Sequence, residues 1–151
     1  MKETNVKLEL RIDWSEIDAF GHVNNLSILK YIQAARVNYL EIIGLMQMQT
    51  TIKIGPILAS TACQFRKPLF YPGQITVYTN VNDVKNSSFH VQHQIINDKK
   101  ELVAEAQDII VFYDFNKNTK LTISDEIKEK IAELEESDFW KNINKNAQQE
   151  K

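Results

Sequence analysis

Asp18, Gly21, His22, Asn24 and Asn25 fall within one short segment, directly ahead of a long apolar run with helical spacing. A carboxylate beside a helix start is a chemically capable pair. The first N–H groups of a helix have no intrahelical acceptors, so they can hold the oxyanion that develops when a carbonyl is attacked. The positive end of the helix dipole favours an anionic Asp18, the form required of a nucleophile or general base. Asp18 can attack the carbonyl carbon itself or take a proton from an attacking water, and the residue types leave both routes open. It can equally be a cap that only accepts backbone N–H bonds. His22 reads as a turn residue or hydrogen-bonded spacer, or as an auxiliary group that orients a water or the Asn side chains. Asn24 and Asn25 read as cap and left-handed turn residues, so an oxyanion contact from this pair would come from backbone.

The loop needs a frame on both sides. Upstream, Val6, Leu8, Leu10, Ile12 and Trp14 alternate with Lys7, Glu9, Arg11 and Asp13, which predicts a strand with one wet face. Downstream, Ile28, Ile32, Ala35, Tyr39 and Ile42 recur at helical spacing over 26–43, and Gly44 supplies the stop. This is a helix of about five turns. Its other faces carry Leu29, Ala34, Val37, Leu40 and Ile43, so it is apolar nearly all round and something must wrap it. Arg36 on such a helix must be paired or reach the surface, and a structural ion pair is expected.

Beyond Pro56 the strand period returns, with Ile57, Ala59, Thr61, Cys63 and Phe65 on one face and Leu58, Ser60, Ala62 and Gln64 on the other. Pro68, Pro72 and Gly73 end it. Strands over 74–84, 88–96 and 101–115 follow, joined by short turns that imply antiparallel neighbours. Ser124, Asp125 and Glu126 open a short amphipathic helix carrying Ile127, Ile131 and Leu134, and the chain is polar from Ser137. The expected fold is α+β: an antiparallel five-stranded sheet wrapped around one long central helix, with a short C-terminal helix. One domain over 1–136 and a polar tail over 137–151 are expected.

With 151 residues and 43% hydrophobic content, the chain can build one sizeable core. No apolar run approaches the ~20 residues of a membrane span, and the N-terminal stretch alternates instead of carrying a signal-peptide core. A soluble cytoplasmic protein without a membrane partner is expected. The single cysteine, Cys63, reads as a small core residue, and the histidines are scattered. His90 and His93 lie three apart on a strand and so point to opposite faces. No metal and no cofactor are expected. A net charge of -2 argues against a nucleic-acid partner. An anionic small ligand needs only a few local cations, which Arg66, Lys67, Lys85, Lys99, Lys100, Lys117 and Lys120 could supply, although each alone also reads as solvated surface.

The string Asp18-Ala19-Phe20-Gly21-His22-Val23-Asn24-Asn25, followed by a helix with Tyr31 and Ala35-Arg36, resembles the D-x-x-G-H-V-N-N branch of the 4-hydroxybenzoyl-CoA thioesterase family. Weaker matches continue through Gly55-Pro56-Ile57-Leu58-Ala59-Ser60, Phe65-Arg66-Lys67-Pro68-Leu69, Asn86-Ser87-Ser88 and Leu102-Val103-Ala104-Glu105, so the resemblance covers roughly residues 8 to 125. It implies a hotdog fold, a homodimer or homotetramer built by joining sheets edge to edge, and active sites at the dimer interface. It also implies hydrolysis of an acyl-CoA to free acid and CoA. On the matching positions, Asp18 takes the catalytic carboxylate's place, and the backbone N–H that faces the thioester carbonyl falls near Asn25. His22 remains an auxiliary candidate, while Asn24, Tyr31, Arg66 and Lys67 are assigned to substrate binding. The loops that mark hotdog hydratases (Gly-Asp-x-Asn-Pro) and dehydratases (His-Phe-Pro-Gly) are absent. An acyl-ACP thioesterase and a non-catalytic acyl-CoA-binding protein are the alternatives. A fatty acyl chain is expected to be preferred over a benzoyl group.

Overall fold

The computed structural model describes residues 4–136, so the tail expected over 137–151 lies outside the described residues. Strand β1 (Val6–Arg11) leads into a single 3-10 turn (Trp14–Glu16), and the long helix α1 (Asn25–Ile42) follows the loop. A second helix, α2 (Leu45–Ile52), connects to strands β2 (Ile54–Phe65), β3 (Gln74–Val84), β4 (Ser88–Ile96) and β5 (Leu102–Asp114). The two-residue strand β6 (Thr119–Lys120) and helix α3 (Asp125–Glu135) complete the order. The sheet runs β1-β3-β4-β5-β2, all antiparallel, with β6 added beside β5. β1 and β2 are therefore its edges.

The expected strands and helices stand, with five corrections. The sheet has six strands, because β6 is too short to show a period. Trp14 is not a core residue of β1: Asp13 caps the 3-10 turn, accepting from Ser15 N, and Trp14 is 74% exposed. Gly44 ends α1 at φ +86°, as expected of a left-handed stop, but it also opens α2, a helix too short to stand out in the apolar spacing. The β2 faces exchange at Ala59, where a bulge separates the pairs Leu58–Ile110 and Ser60–Ile109. One extra residue reverses a period of two, so Leu58 joins the face of Thr61, Cys63 and Phe65. Finally, α1 is covered on one side only. Ile28, Ile32, Ala35 and Tyr39 are buried, whereas Leu26 is 70% exposed and Leu29 and Ile42 are partly open.

The core falls into two apolar clusters along α1. Its first half packs Ile28, Tyr31, Ile32 and Ala35 against Ile75, Val77, Ile95 and Ala106. Its second half packs Tyr39, Leu40 and Ile43 against Val81, Phe89, Ile110 and Ile127 of α3. Between them runs a polar seam. Arg36 Nε donates to Asp108 Oδ2 at 2.9 Å and its Nη2 to Oδ1 at 3.2 Å. His93 Nε2 donates to the same Oδ2 at 2.7 Å, and its Nδ1 lies 3.0 Å from Thr79 Oγ1. The ion pair expected for Arg36 is thus present, joined by a histidine that no local pattern marks for this place. α3 is docked by another buried acid: Glu135 Oε1 accepts from Tyr39 Oη at 2.8 Å and from Val81 N at 2.9 Å.

Burial pushes the Asp108 carboxyl up, but the His93 and Arg36 hydrogen bonds outweigh burial and bring it down to about 2. The group is more acidic folded than unfolded, so the stability it contributes is complete above its ordinary value of 3.8 and lost as pH falls toward 2. Urea midpoints should therefore drop between about pH 4 and pH 2. Asp108→Asn should flatten that segment and, by leaving Arg36 unpaired, cost about 3–5 kcal/mol at neutral pH.

Candidate active site

The loop from Ile17 to Val23 is a closed hairpin. Ile17 and Val23 form an antiparallel bridge, and Asp18 N donates to His22 O at 2.9 Å. Gly21 turns the chain at φ +84° and donates to Asp18 O at 3.1 Å; no atom crowds its Cβ position, so the backbone angle alone calls for glycine. The hairpin is tied down on both sides. Val23 N donates to Leu69 O and Asn24 N to Glu16 O, both at 2.9 Å, and His22 packs edge-on against Phe70 with ring centroids 5.3 Å apart. Tyr31 on α1 reaches back, donating to Glu16 Oε1 at 2.7 Å, and Glu16 Oε1 also accepts from Asp13 N.

Asn24 is the cap of α1: its Oδ1 accepts from Ser27 N at 3.0 Å. Asp18 is not. Its Oδ1 accepts from Phe20 N at 2.9 Å within its own turn, and Oδ2 has no partner among the described residues. The N–H groups of Asn25 and Leu26, at the first positions of α1, also have no acceptor there. Asp18, His22, Asn25, Phe65, Arg66 and Lys67 all border one open cleft of about 420 Å³. A half-buried carboxylate and an unfilled helix N-terminus thus face the same space, and a carbonyl seated there has donors for its oxygen and a carboxylate for its carbon or its water.

The remaining expectations fare differently. Tyr31 is buried, its hydroxyl is engaged by Glu16, and it does not line the cleft, so it braces the Asp18 loop. Burial and the Glu16 contact raise its phenol well above the ordinary range. Asn24 lies behind the cleft as a cap. Arg66 and Lys67 reach the rim, where Arg66 is paired with Glu105 and Lys67 with Glu101. A phosphate would have to compete with those carboxylates. Cys63 is half-buried on the inner face of β2, where burial raises its thiol. Among the described residues no group of His, Cys, Asp and Glu is arranged to hold a metal ion. No helix among them is long and apolar enough to cross a membrane.

An antiparallel sheet curled over one long helix, with a carboxylate loop at the helix N-terminus, defines a hotdog protein. The chain belongs to the Thioesterase-like superfamily, whose profile matches residues 12–131. That places it among thioester hydrolases. It is 21% identical over 130 residues to the long-chain acyl-CoA thioesterase FadM of Escherichia coli (strain K12), covering 85% of this chain and 98% of that protein. Its fold matches a thioesterase from Thermus thermophilus complexed with coenzyme A and Zn, with a TM-score of 0.78, 21% identity, and 89% and 97% of the two chains covered. A DHNA-CoA thioesterase from Staphylococcus aureus matches with a TM-score of 0.75 at 18% identity, over 87% and 93% of the two chains.

The geometry separates the two asparagines. Asn24→Ala should lower stability by about 1 kcal/mol through loss of the cap, while Asn24→Ser should be close to neutral. Asn25→Ala removes only an exposed side chain and keeps its backbone N–H, so both melting temperature and turnover should stay near wild type. Thermal melts beside a thiol-release assay read both.

Proposed function

We propose that the chain hydrolyses an acyl-CoA thioester to free acid and CoA at the Asp18 cleft. The observation that carries this reading is that Asp18 and Asn25, whose N–H has no acceptor among the described residues, border one cleft at the start of α1. As the thioester carbonyl is attacked, its oxygen gains negative charge and is held by the helix N-terminus. Asp18 either adds to the carbon, giving an anhydride that water then opens, or takes the proton from the attacking water. Either way the thiolate of CoA leaves and takes up a proton. His22, whose ring is packed on Phe70, holds the hairpin and orients water near the carboxylate. Arg66 and Lys67 at the rim are placed to exchange their carboxylate partners for the CoA phosphates.

Family membership and the named relatives support a CoA ester as substrate. The D-x-x-G-H-V-N-N loop and the apolar inner faces support a fatty acyl chain over a benzoyl group. The working unit is a homodimer or larger. Strand β2 has a free edge, and 58–62 are exposed over a long stretch, with Leu58 41% open. Pairing at such an edge would also close the cleft.

Asp18→Asn keeps the acceptor for Phe20 N, so folding and assembly should be unchanged, while kcat falls about a hundredfold or more because a neutral amide is neither nucleophile nor base. Thiol release across acyl-CoAs, with 4-hydroxybenzoyl-CoA included, measures this on samples that light scattering shows to be dimeric or larger. Retained activity in the variant removes Asp18 from the chemistry, and faster turnover of the aromatic ester than of every aliphatic one overturns the substrate class.

A further inference from the structure

Alternate side chains of each strand point away from α1, and the strand register sets them in rows across β3, β4, β5 and β2. One row on this outer face holds Gln94, Glu105 and Gln64, and the next holds Asn80, Gln92 and Gln107. Farther along, Ile109, Val111 and Ile57 make an apolar patch on the same face. The four glutamines border an open cavity of about 370 Å³ that shares no residue with the Asp18 cleft. A quarter of the chain is charged, yet across these rows only Asp83, opposite His90, and Glu105, paired with Arg66, carry a fixed charge. Lys7, Glu9 and Arg11 of β1 form a charged rim beside β3.

A centre poor in ions inside a charged rim is the anatomy of a protein interface, because desolvating an ion costs far more than desolvating an amide that finds a partner. The amides also select the occupant. Each carries donors and an acceptor, so a row of glutamines can bond to a two-fold copy of itself without a charge clash. Gln64, Gln92 and Gln107 make no side-chain hydrogen bond within the protomer among the described residues, which leaves those groups for a partner. A nucleic acid, an acidic protein or an anionic lipid surface would find no cation in the centre of this face.

We propose that the outer face of the sheet is an interface between copies of this chain, joining two edge-paired dimers back to back. Area supports that order of assembly. Four strands about 4.8 Å apart and four rows about 6.8 Å apart span on the order of 500 Å². A stable interface needs about 800 Å² per partner, which the face reaches only once pairing at the β2 edge has doubled it. The inference therefore rests on the β2 pairing proposed above, and its test separates the two.

The test is light scattering on the wild type and on the double variant Gln92→Lys, Gln107→Lys, which sets like charges against each other across the interface and touches no residue of the Asp18 cleft. The wild type should contain four chains and the variant two, with thiol release per chain retained. A wild type of two chains with a variant of one would keep the outer-face interface and remove the β2 pairing. A single-chain wild type, or a folded variant of unchanged mass, overturns the proposal. If the variant fails to fold, maleimide labelling of Gln107→Cys in a Cys63→Ser background decides, with Glu126→Cys on the exposed side of α3 as reference. Loss of labelling at position 107 alone is expected, and equal labelling of the two overturns the proposal. Absence of thiol release from a four-chain wild type would instead remove the hydrolytic reading and leave the interface in place.

Discussion

A single buried ion pair sets where the long helix lies on the sheet. Arg36 bonds through two nitrogens to Asp108, in the seam between two apolar clusters that would otherwise tolerate sliding. Apolar contacts are non-directional, whereas a two-point guanidinium–carboxylate contact admits one register. His93 and Thr79 extend that register to β4 and β3. With Arg36 fixed, the N-terminus of α1 is fixed, and so is the distance between its free N–H groups and the segment around Phe65 that borders the cleft.

The carboxylate is positioned by a separate set of bonds. Asp18 sits on a hairpin held by the Ile17–Val23 bridge, the Val23–Leu69 backbone bond and the Tyr31–Glu16 bond. Only the last of these comes from α1, and it joins loop and helix directly. The arrangement leaves a carboxylate and the start of a helix at one cleft with no protein bond between them, as the proposed reaction requires. Pre-aimed donors that need no reorganisation are worth most in catalysis when they are held this way.

Much of this was legible in the residues. The alternation of Val6 to Ile12, the helical spacing of Ile28, Ile32, Ala35 and Tyr39, and the turn residues before β3 mark local preferences, and the structure keeps them. The Asp18 loop was legible as a cluster of chemistry-bearing types at a helix start. What stayed hidden depends on contacts distant in sequence. The bulge at Ala59 arises from pairing with β5 and leaves no mark on the β2 pattern itself. His93 and Asp108 lie on different strands, and nothing in either strand tells that they meet at Arg36. Tyr31 was assigned to substrate through the family resemblance of the loop and helix; its hydroxyl is spent on Glu16, a partner set by how the loop folds back. Arg66 and Lys67 were readable as cations near a ligand, but not their cross-strand pairing with Glu105 and Glu101.

The most direct test is a crystal structure with a thioether analogue that keeps the acyl carbonyl but cannot be hydrolysed. The expected result is a carbonyl oxygen about 2.7–3.1 Å from the backbone N–H of Asn25 or Leu26, with the Asp18 carboxylate facing the carbonyl carbon directly or through one water. A carbonyl bound elsewhere, or one turned so that Asp18 faces neither its carbon nor a water beside it, would contradict a hydrolytic role for this cleft.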